Sequence, residues 1–491
     1  MQMDETFFAD FMAGLRLGGH DSLSNGLIGE GAPLPGPFGI KPLVYADYVA
    51  SGRALKQVED FVLARVLPYY ANSHTEASFC GSYMTRIRQA ARAHIARLCG
   101  AGEGFSTVFC GAGATAGLNR LVHLLGVPEA TAASRRPVVF IGPYEHHSNI
   151  LPWRESGAEV ITIGEAACGG PDLEQLDRAL AEADPARLRL GAFSAASNVT
   201  GIITDVDAVT KVLKSHGALA VWDYAGGGPY LPINMRAGTL YEKDAVVISA
   251  HKFVGGPAAS GIMIIRNAAV ARTRPVLTGG GTVRFVSPWG HDYTASLESR
   301  EEAGTPDVIG DIRAALAFLV KDAMGEHWLD ARHNGLRTRA EQVWRQNPHI
   351  EIVGNARAQH YLPIFSFRVH TDRAGNVVHQ QLFTRMLSDL YGIQARGGCA
   401  CAGPYAHSLL AISRAQSDAL RQAVLNGNEI RKPGWTRLNF CALMNDDKAD
   451  FIIRSVDELA RNPTAPMQAY MCDTGTARFR VERPSLDLNS P

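Results

Sequence analysis

No stretch of this chain approaches the ~18 uninterrupted apolar residues that a membrane-spanning helix needs, so no membrane role is expected. The opening segment, Met1-Gln-Met-Asp-Glu-Thr-Phe-Phe8, lacks the basic-then-apolar layout of a signal peptide. Charge of one sign is also missing: 48 Lys+Arg face 48 Asp+Glu, and a neutral chain offers nucleic acid no overall basic field. Cysteine is scarce, with eight in 491 residues, too sparse for a disulfide scaffold. These absences predict a cytoplasmic protein whose thiols are free. What remains is globular composition, 46% hydrophobic and 20% charged. The length suits about three average domains, or two in a large α/β enzyme.

From residue 105 short apolar runs alternate with helix-like stretches. Strand candidates are 106–110, 137–142, 158–164, 189–197, 218–223, 244–250 and 261–266, each rich in β-branched or aromatic residues and bounded by turn formers. This alternation predicts an α/β fold, a mostly parallel seven-stranded sheet with helices on both faces. Past residue 305 a long helical stretch (307–346) leads to a second set of strands, and a smaller C-terminal α+β domain is expected. The divisions read as an N-terminal arm (1–40) completing the small domain, a large domain (41–305), the small domain (306–470) and a loosely held tail (471–491). The arm, Gly- and Pro-rich over 29–39, reads as a short helix followed by irregular chain.

In an open parallel sheet function gathers at the carboxyl ends of the strands. After the first strand comes Gly111-Ala-Gly-Ala-Thr-Ala-Gly117, a glycine-rich turn opening a helix, which suits a phosphate. Alone it is a weak signal that also reads as a plain strand–helix turn, since it is not the dinucleotide fingerprint. His146, Asn198, Asp223 and the pair His251-Lys252 follow later strands. Singly, each reads as a cap or a solvated polar group. As an ordered set they match the needs of pyridoxal phosphate. Lys252 supplies the amine for a Schiff base, and Asp223 the carboxylate that keeps the pyridine nitrogen protonated. His146 stacks on the ring. Phosphate donors come from the helix turn at Ala114 and Thr115, and from Ser249 and His251.

The chain resembles the class V aminotransferase family of fold-type I pyridoxal phosphate enzymes, and most closely the cysteine desulfurases and selenocysteine lyases. The likeness runs from about Tyr45 to Leu459 and is carried by Glu145-His-His-Ser-Asn-Ile-Leu-Pro-Trp153 and Ser249-Ala-His-Lys-Phe-Val-Gly-Gly-Pro257. Gly279-Gly-Gly281, Glu302-Ala-Gly-Thr-Pro306 and Arg396-Gly-Gly-Cys-Ala-Cys-Ala-Gly-Pro404 add to it. The resemblance implies Lys252 as the Schiff-base lysine and His146 as the stacking imidazole. It implies Asp223 at the pyridinium, and Asn198, Arg437 and Arg396 on the substrate side. The stretch ending at Thr282 resembles the loop that enters the partner subunit's phosphate site, which implies a homodimer. The family's usual Gln three residues after the pyridinium Asp is here Gly226.

The resemblance further implies Cys401 as the nucleophile that takes sulfur from L-cysteine and carries it as a persulfide, with a protein acceptor downstream. A thiolate is the attacking species, so positive charge from Arg396 or Arg437 is expected beside it. Three other readings stay open for Cys399-x-Cys401: half of a metal site with His407 or Cys441, a regulatory dithiol, or incidental cysteines. The chain as a whole reads as a desulfurase, with an aminotransferase, lyase or epimerase acting on another amino acid as alternative. A silent sulfur carrier is the third possibility.

Overall fold

Seven apolar runs of the sequence pair into one sheet in the computed structural model, which describes residues 6–73, 76–371 and 375–481. Before the sheet comes helix α1 (Thr6–Asn25), kinked at Gly19. It buries Phe8, Phe11 and Leu15, and Phe8 lies 5.6 Å from Phe61 and 5.3 Å from His94, ring to ring. The expected irregular chain after it is instead a hairpin, Pro33–Gly36 against Gly39–Pro42. Helix α2 (Phe79–Leu98), N-capped by Ser78, then leads to the sheet.

The strands are β1 (Phe105–Gly111), followed by helix α3 (Gly113–Leu124), then β2 (Val138–Ile141), β3 (Glu159–Thr162), β4 (Arg189–Ser194), β5 (Leu219–Asp223), β6 (Ala245–Ser249) and β7 (Gly261–Arg266). Their spatial order is β1-β7-β6-β5-β4-β2-β3, with β7 antiparallel to both neighbours and the β6-to-β3 run parallel. Helices over both faces leave β6 buried at every residue, which is why it reads as a continuous apolar run. Phe140 and Phe193 are fully buried, each contributing about 2 kcal/mol of burial free energy. Glu302 fastens the β1 edge. It accepts from Arg92 at 2.7 Å, Arg88 at 2.5 Å and the Phe109 N–H at 2.8 Å. Burial works against its charge, but Arg92 and Arg88 outweigh it and hold the carboxyl below its ordinary value.

The long helical stretch divides at Gly325, whose φ of 80° ends α4 (Val308–Met324) and begins α5 (Glu326–Trp344). Beyond lie β8 (Ile350–Ile352), β9 (Ile364–Val369), helix α6 (Gln380–Tyr391), β10 (Arg396–Gly398) and β11 (Trp435–Asn439). The four strands form a second sheet in the order β8-β9-β11-β10, packed on Trp344 through Phe365 and Phe367. The segment between Pro404 and Trp435 is helical, Gly403–Leu409 and then Arg414–Leu425, the latter burying no side chain. The expected loose tail is corrected in part. Tyr470–Asp473 pairs with Arg478–Val481, and Tyr470 donates to Asp389 of α6 at 3.2 Å, because alternate residues give the hairpin an inner face. The rest of the tail, 482–491, lies outside the described residues. Among the described residues no helix is long and apolar enough to cross a membrane.

Candidate active site

The ends of β1, β2, β4, β5 and β6 open on one cavity of about 280 Å³, and the second sheet closes it from the far side. Ala114, Thr115, His146, Asn198, Asp223, Ser249, His251 and Lys252 line it, with Arg396, Cys401 and Arg437 opposite. Thr282 is the exception. It is buried outside this cavity, its hydroxyl donates to Gly279 O at 2.7 Å, and the hairpin after it exposes Phe285, Val286 and Trp289.

At the β1 end, Gly113 has φ 67°, and a Cβ there would lie 2.9 Å from His251 Cε1 and 3.0 Å from Ser249 Oγ. Only glycine leaves that space open. The Ala114 N–H is already given to Ser249 Oγ, at 3.0 Å. Thr115 Oγ1 lies 2.8 Å from Ser148 Oγ, which in turn is 3.1 Å from His146 Nδ1. Hydroxyls, an imidazole and a helix N-terminus around one corner of the cavity form a donor set suited to a phosphate.

The Ser148 N–H donates to Nδ1 of His146 at 3.1 Å, so the neutral ring carries its proton on Nε2. Burial, reinforced by Lys252, His147 and Arg437, pushes its pKa down to about 4. Its neighbour has the opposite tautomer: Nε2 of His147 accepts from the Gly403 N–H at 2.9 Å. Asp223 is buried, and Oδ1 accepts from the Ala225 N–H at 2.7 Å. Burial raises its pKa, while the Ala225 N–H and Lys252 oppose the rise. Burial lowers the Lys252 amine to about 8, with Asp223 opposing and Arg437 and Arg396 assisting. Glu145, fully shielded behind the cavity, accepts from the Ser194 N–H at 2.9 Å and from Asn149 at 2.5 Å. Burial drives its carboxyl up to about 7 against those bonds.

Asp47 was assigned no role by the sequence, although it sits in the Tyr45-Ala-Asp-Tyr stretch that opens the resemblance. It accepts from Arg396 Nε at 2.9 Å and from Arg437 at 3.0 Å, bridging the two arginines. Arg437 also donates to Asn198 O at 3.0 Å, yet among the described residues its buried Nε has no partner, and neither does Asn198 Oδ1. Two orphaned polar atoms at the edge of a cavity call for a polar ligand. With a buried carboxylate and a depressed amine beside them, the residues fit pyridoxal phosphate and an amino acid. Asn198 uses its amide N–H on Ala400 O, at 2.9 Å. Ser148 and Asp47 escaped the sequence reading because neither follows a strand directly.

Cys401 is exposed and faces the cavity from a tight turn in which the Ala402 N–H donates to Cys399 O at 3.1 Å. Ala400 and Cys401 have φ of 52° and 55°, the signs of a type I′ turn. Such angles cost non-glycine residues on the order of 1–2 kcal/mol each. The candidate metal partners are engaged elsewhere. His407 has Gly403 O and Ser417 Oγ on its two ring nitrogens, both at 2.8 Å, and Cys441 is buried. Among the described residues no three His, Cys, Asp or Glu side chains gather as a metal site would require. All eight cysteines are free.

A family model described as Aminotransferase class-V matches residues 44–428. A probable cysteine desulfurase of Streptomyces coelicolor is 26% identical over 370 residues, 74% of this chain and 84% of that protein. A cysteine desulfurase of Salmonella agona is 28% identical over 367 residues, covering 74% of this chain and 85% of that one. Among solved structures, the apo cysteine desulfurase of Thermococcus onnurineus superposes with a TM-score of 0.70 at 23% identity. It covers 85% of this chain and 95% of its own, and the likeness is one of fold.

Proposed function

The chain belongs to the class-V aminotransferase family, and from that membership we propose that it is a pyridoxal-phosphate-dependent cysteine desulfurase. It would convert L-cysteine to L-alanine and take the sulfur onto Cys401. The observation that carries this reading is the meeting, at one cavity, of the partly buried Lys252, the buried Asp223 and a cysteine on an exposed turn. Names of relatives that act on cysteine support it.

Asp223 would hold the pyridine nitrogen, Thr115, Ser148, Ser249 and His251 the phosphate, and His146 the ring face. Bound there, the cofactor would supply an electron sink for the pair left when the substrate's Cα proton is removed. Lys252, with its pKa brought to about 8, has an accessible neutral amine to take that proton. Arg437, with its unpartnered Nε–H, and Arg396 would grip the substrate carboxylate. The Cys401 thiolate would attack the substrate sulfur. The S–S bond forms as the C–S bond breaks, and its electron pair stays with the carbon, which is then protonated, His146 Nε2–H assisting. One cysteine and one enzyme thiol thus yield one alanine and one persulfide, a balanced exchange needing no oxidant.

The domains of this scheme are a cofactor-binding domain (41–305) and a small domain (306–470). Two copies would pair, with Thr282 and the exposed Phe285–Trp289 hairpin reaching the neighbouring phosphate site. A protein acceptor would collect the sulfur in the cytoplasm, where thiols stay reduced. The test is mass spectrometry of the full chain after treatment with L-cysteine, alongside an alanine assay. Addition of one sulfur atom to Cys401, and alanine absent from a Lys252→Ala control, are expected. Alanine formation undiminished in Cys401→Ser would refute the nucleophile.

A further inference from the structure

The turn that carries Cys401 is conformationally unfavourable, yet it is bound at three points. Asn198 Nδ2 donates to Ala400 O at 2.9 Å, the His147 N–H donates to Cys401 O at 2.9 Å, and the Gly403 N–H donates to His147 Nε2 at 2.9 Å. His147 therefore supplies two of the three bonds, one from its backbone and one to its ring. Both brackets enclose Cys401 itself, because they take its own carbonyl and the N–H two residues on. A Cβ on residue 403 would lie 3.0 Å from His147 Nε2, so glycine at that position lets the ring approach.

We propose that His147 is a positioning residue that latches the Cys401 turn against the pocket, its ring accepting the Gly403 N–H. The proposal rests on the reading of Cys401 as the sulfur nucleophile. A nucleophile that must meet a substrate and then offer its sulfur outward needs a turn that is held but not permanently fixed. Hydrogen bonds across an unfavourable backbone meet both needs: they hold the turn at rest, and the strain favours departure once they open.

The ring half of the latch depends on protonation. Neutral His147 has a lone pair on Nε2, whereas the imidazolium presents an N–H to the Gly403 N–H and the bond is lost. The charged and titratable groups around it are Arg154, on the short helix Leu151–Glu155, the adjoining His146, whose ring lies 6.1 Å away, and Cys401 across the turn. Burial and Arg154 both disfavour the imidazolium and lower the His147 pKa. The latch is then closed at neutral pH and opens on acidification.

Hydrogen exchange of the full-length holoenzyme, read by mass spectrometry of peptides spanning 399–406, tests this. At neutral pH His147→Ala is expected to exchange about tenfold faster there, with the rest of the small domain and the large domain unchanged. His147→Gln, whose amide oxygen reaches the same point as Nε2, is expected to stay close to the parent. Mild acid is expected to loosen the segment in the parent but not in the Gln variant, after correction for intrinsic exchange. Parent-like exchange in His147→Ala would overturn the latch, as would a Gln variant that exchanges as fast as the Ala variant. If the Ala variant exchanges faster everywhere, the Gln comparison and its acid response decide the matter. Exchange is read without turnover. Missing persulfide with the expected exchange pattern therefore discards the nucleophile reading alone, and normal persulfide with unchanged exchange discards the latch alone.

Discussion

Arg437 donates to Oδ1 of Asp47 across 390 residues of chain, at 3.0 Å and almost entirely out of solvent. A carboxylate from before the large sheet thus anchors an arginine from the last strand of the small one. Breaking a buried pair leaves an uncompensated charge, worth about 3 kcal/mol. Asp47→Asn is expected to lose about that much stability by urea unfolding at neutral pH. Arg396→Ala should lose less than about 1 kcal/mol, because the Arg396 side chain is 52% exposed and water replaces its bond. Equal losses would contradict this division.

Capture of the cofactor requires a neutral Lys252 amine. With the amine brought down to about 8, the rate at which the apo chain takes up pyridoxal phosphate should rise with a midpoint near that value. Stopped-flow absorbance across the pH range checks it. A midpoint near the ordinary value of 10.5 would mean that burial does not tune this lysine.

Lys321 of α4 is a second partly buried amine. It donates to Gly228 O at 2.6 Å and to Leu231 O, clamping the loop that follows Asp223, and it stands 5.5 Å over the Phe253 ring next to Lys252. Lys321→Met orphans both carbonyls and is expected to cost about 2 kcal/mol. Burial lowers the amine to about 8 from 10.5. Between those values the unfolded chain binds the extra proton, so stability rises with pH there. The parent is therefore expected to gain on the Met variant over that window, measured by denaturant midpoints. No relative gain would place the amine at its ordinary pKa.

Gly226, where the family carries Gln, is not held to glycine by the backbone: a Cβ would meet nothing closer than 3.5 Å. Gly226→Gln should therefore fold with stability within about 1 kcal/mol of the parent. Gly113→Ala, facing contacts of 2.9 and 3.0 Å at a φ of 67°, should lose at least about 1 kcal/mol and bind the phosphate less well. Thermal denaturation and cofactor titration separate the two.

The large sheet was legible because strands buried on both faces, such as Ala245–Ser249, must be short apolar runs between turn formers. Lys252, Asp223 and His146 could be found as residues just beyond those runs. Less was legible where the deciding partner is remote. Asp47 looked idle because the arginines it joins lie 349 and 390 residues away. The end of the chain read as loose because the face of α6 that receives its hairpin cannot be seen in the hairpin's own residues.

The cysteines show the same division. Sequence alone determined that there are eight and that they are too sparse for a scaffold, while the resemblance made Cys401 the candidate nucleophile. Tertiary structure decided how that thiol is presented. Two consecutive left-handed φ angles are unfavourable for Ala400 and Cys401, and no local pattern predicts them. They persist because Asn198 and His147, brought by other strands, hold the carbonyls that the turn exposes. Composition and order record which groups the chain carries, but bonds between distant segments form only once the sheet has brought their strand ends together.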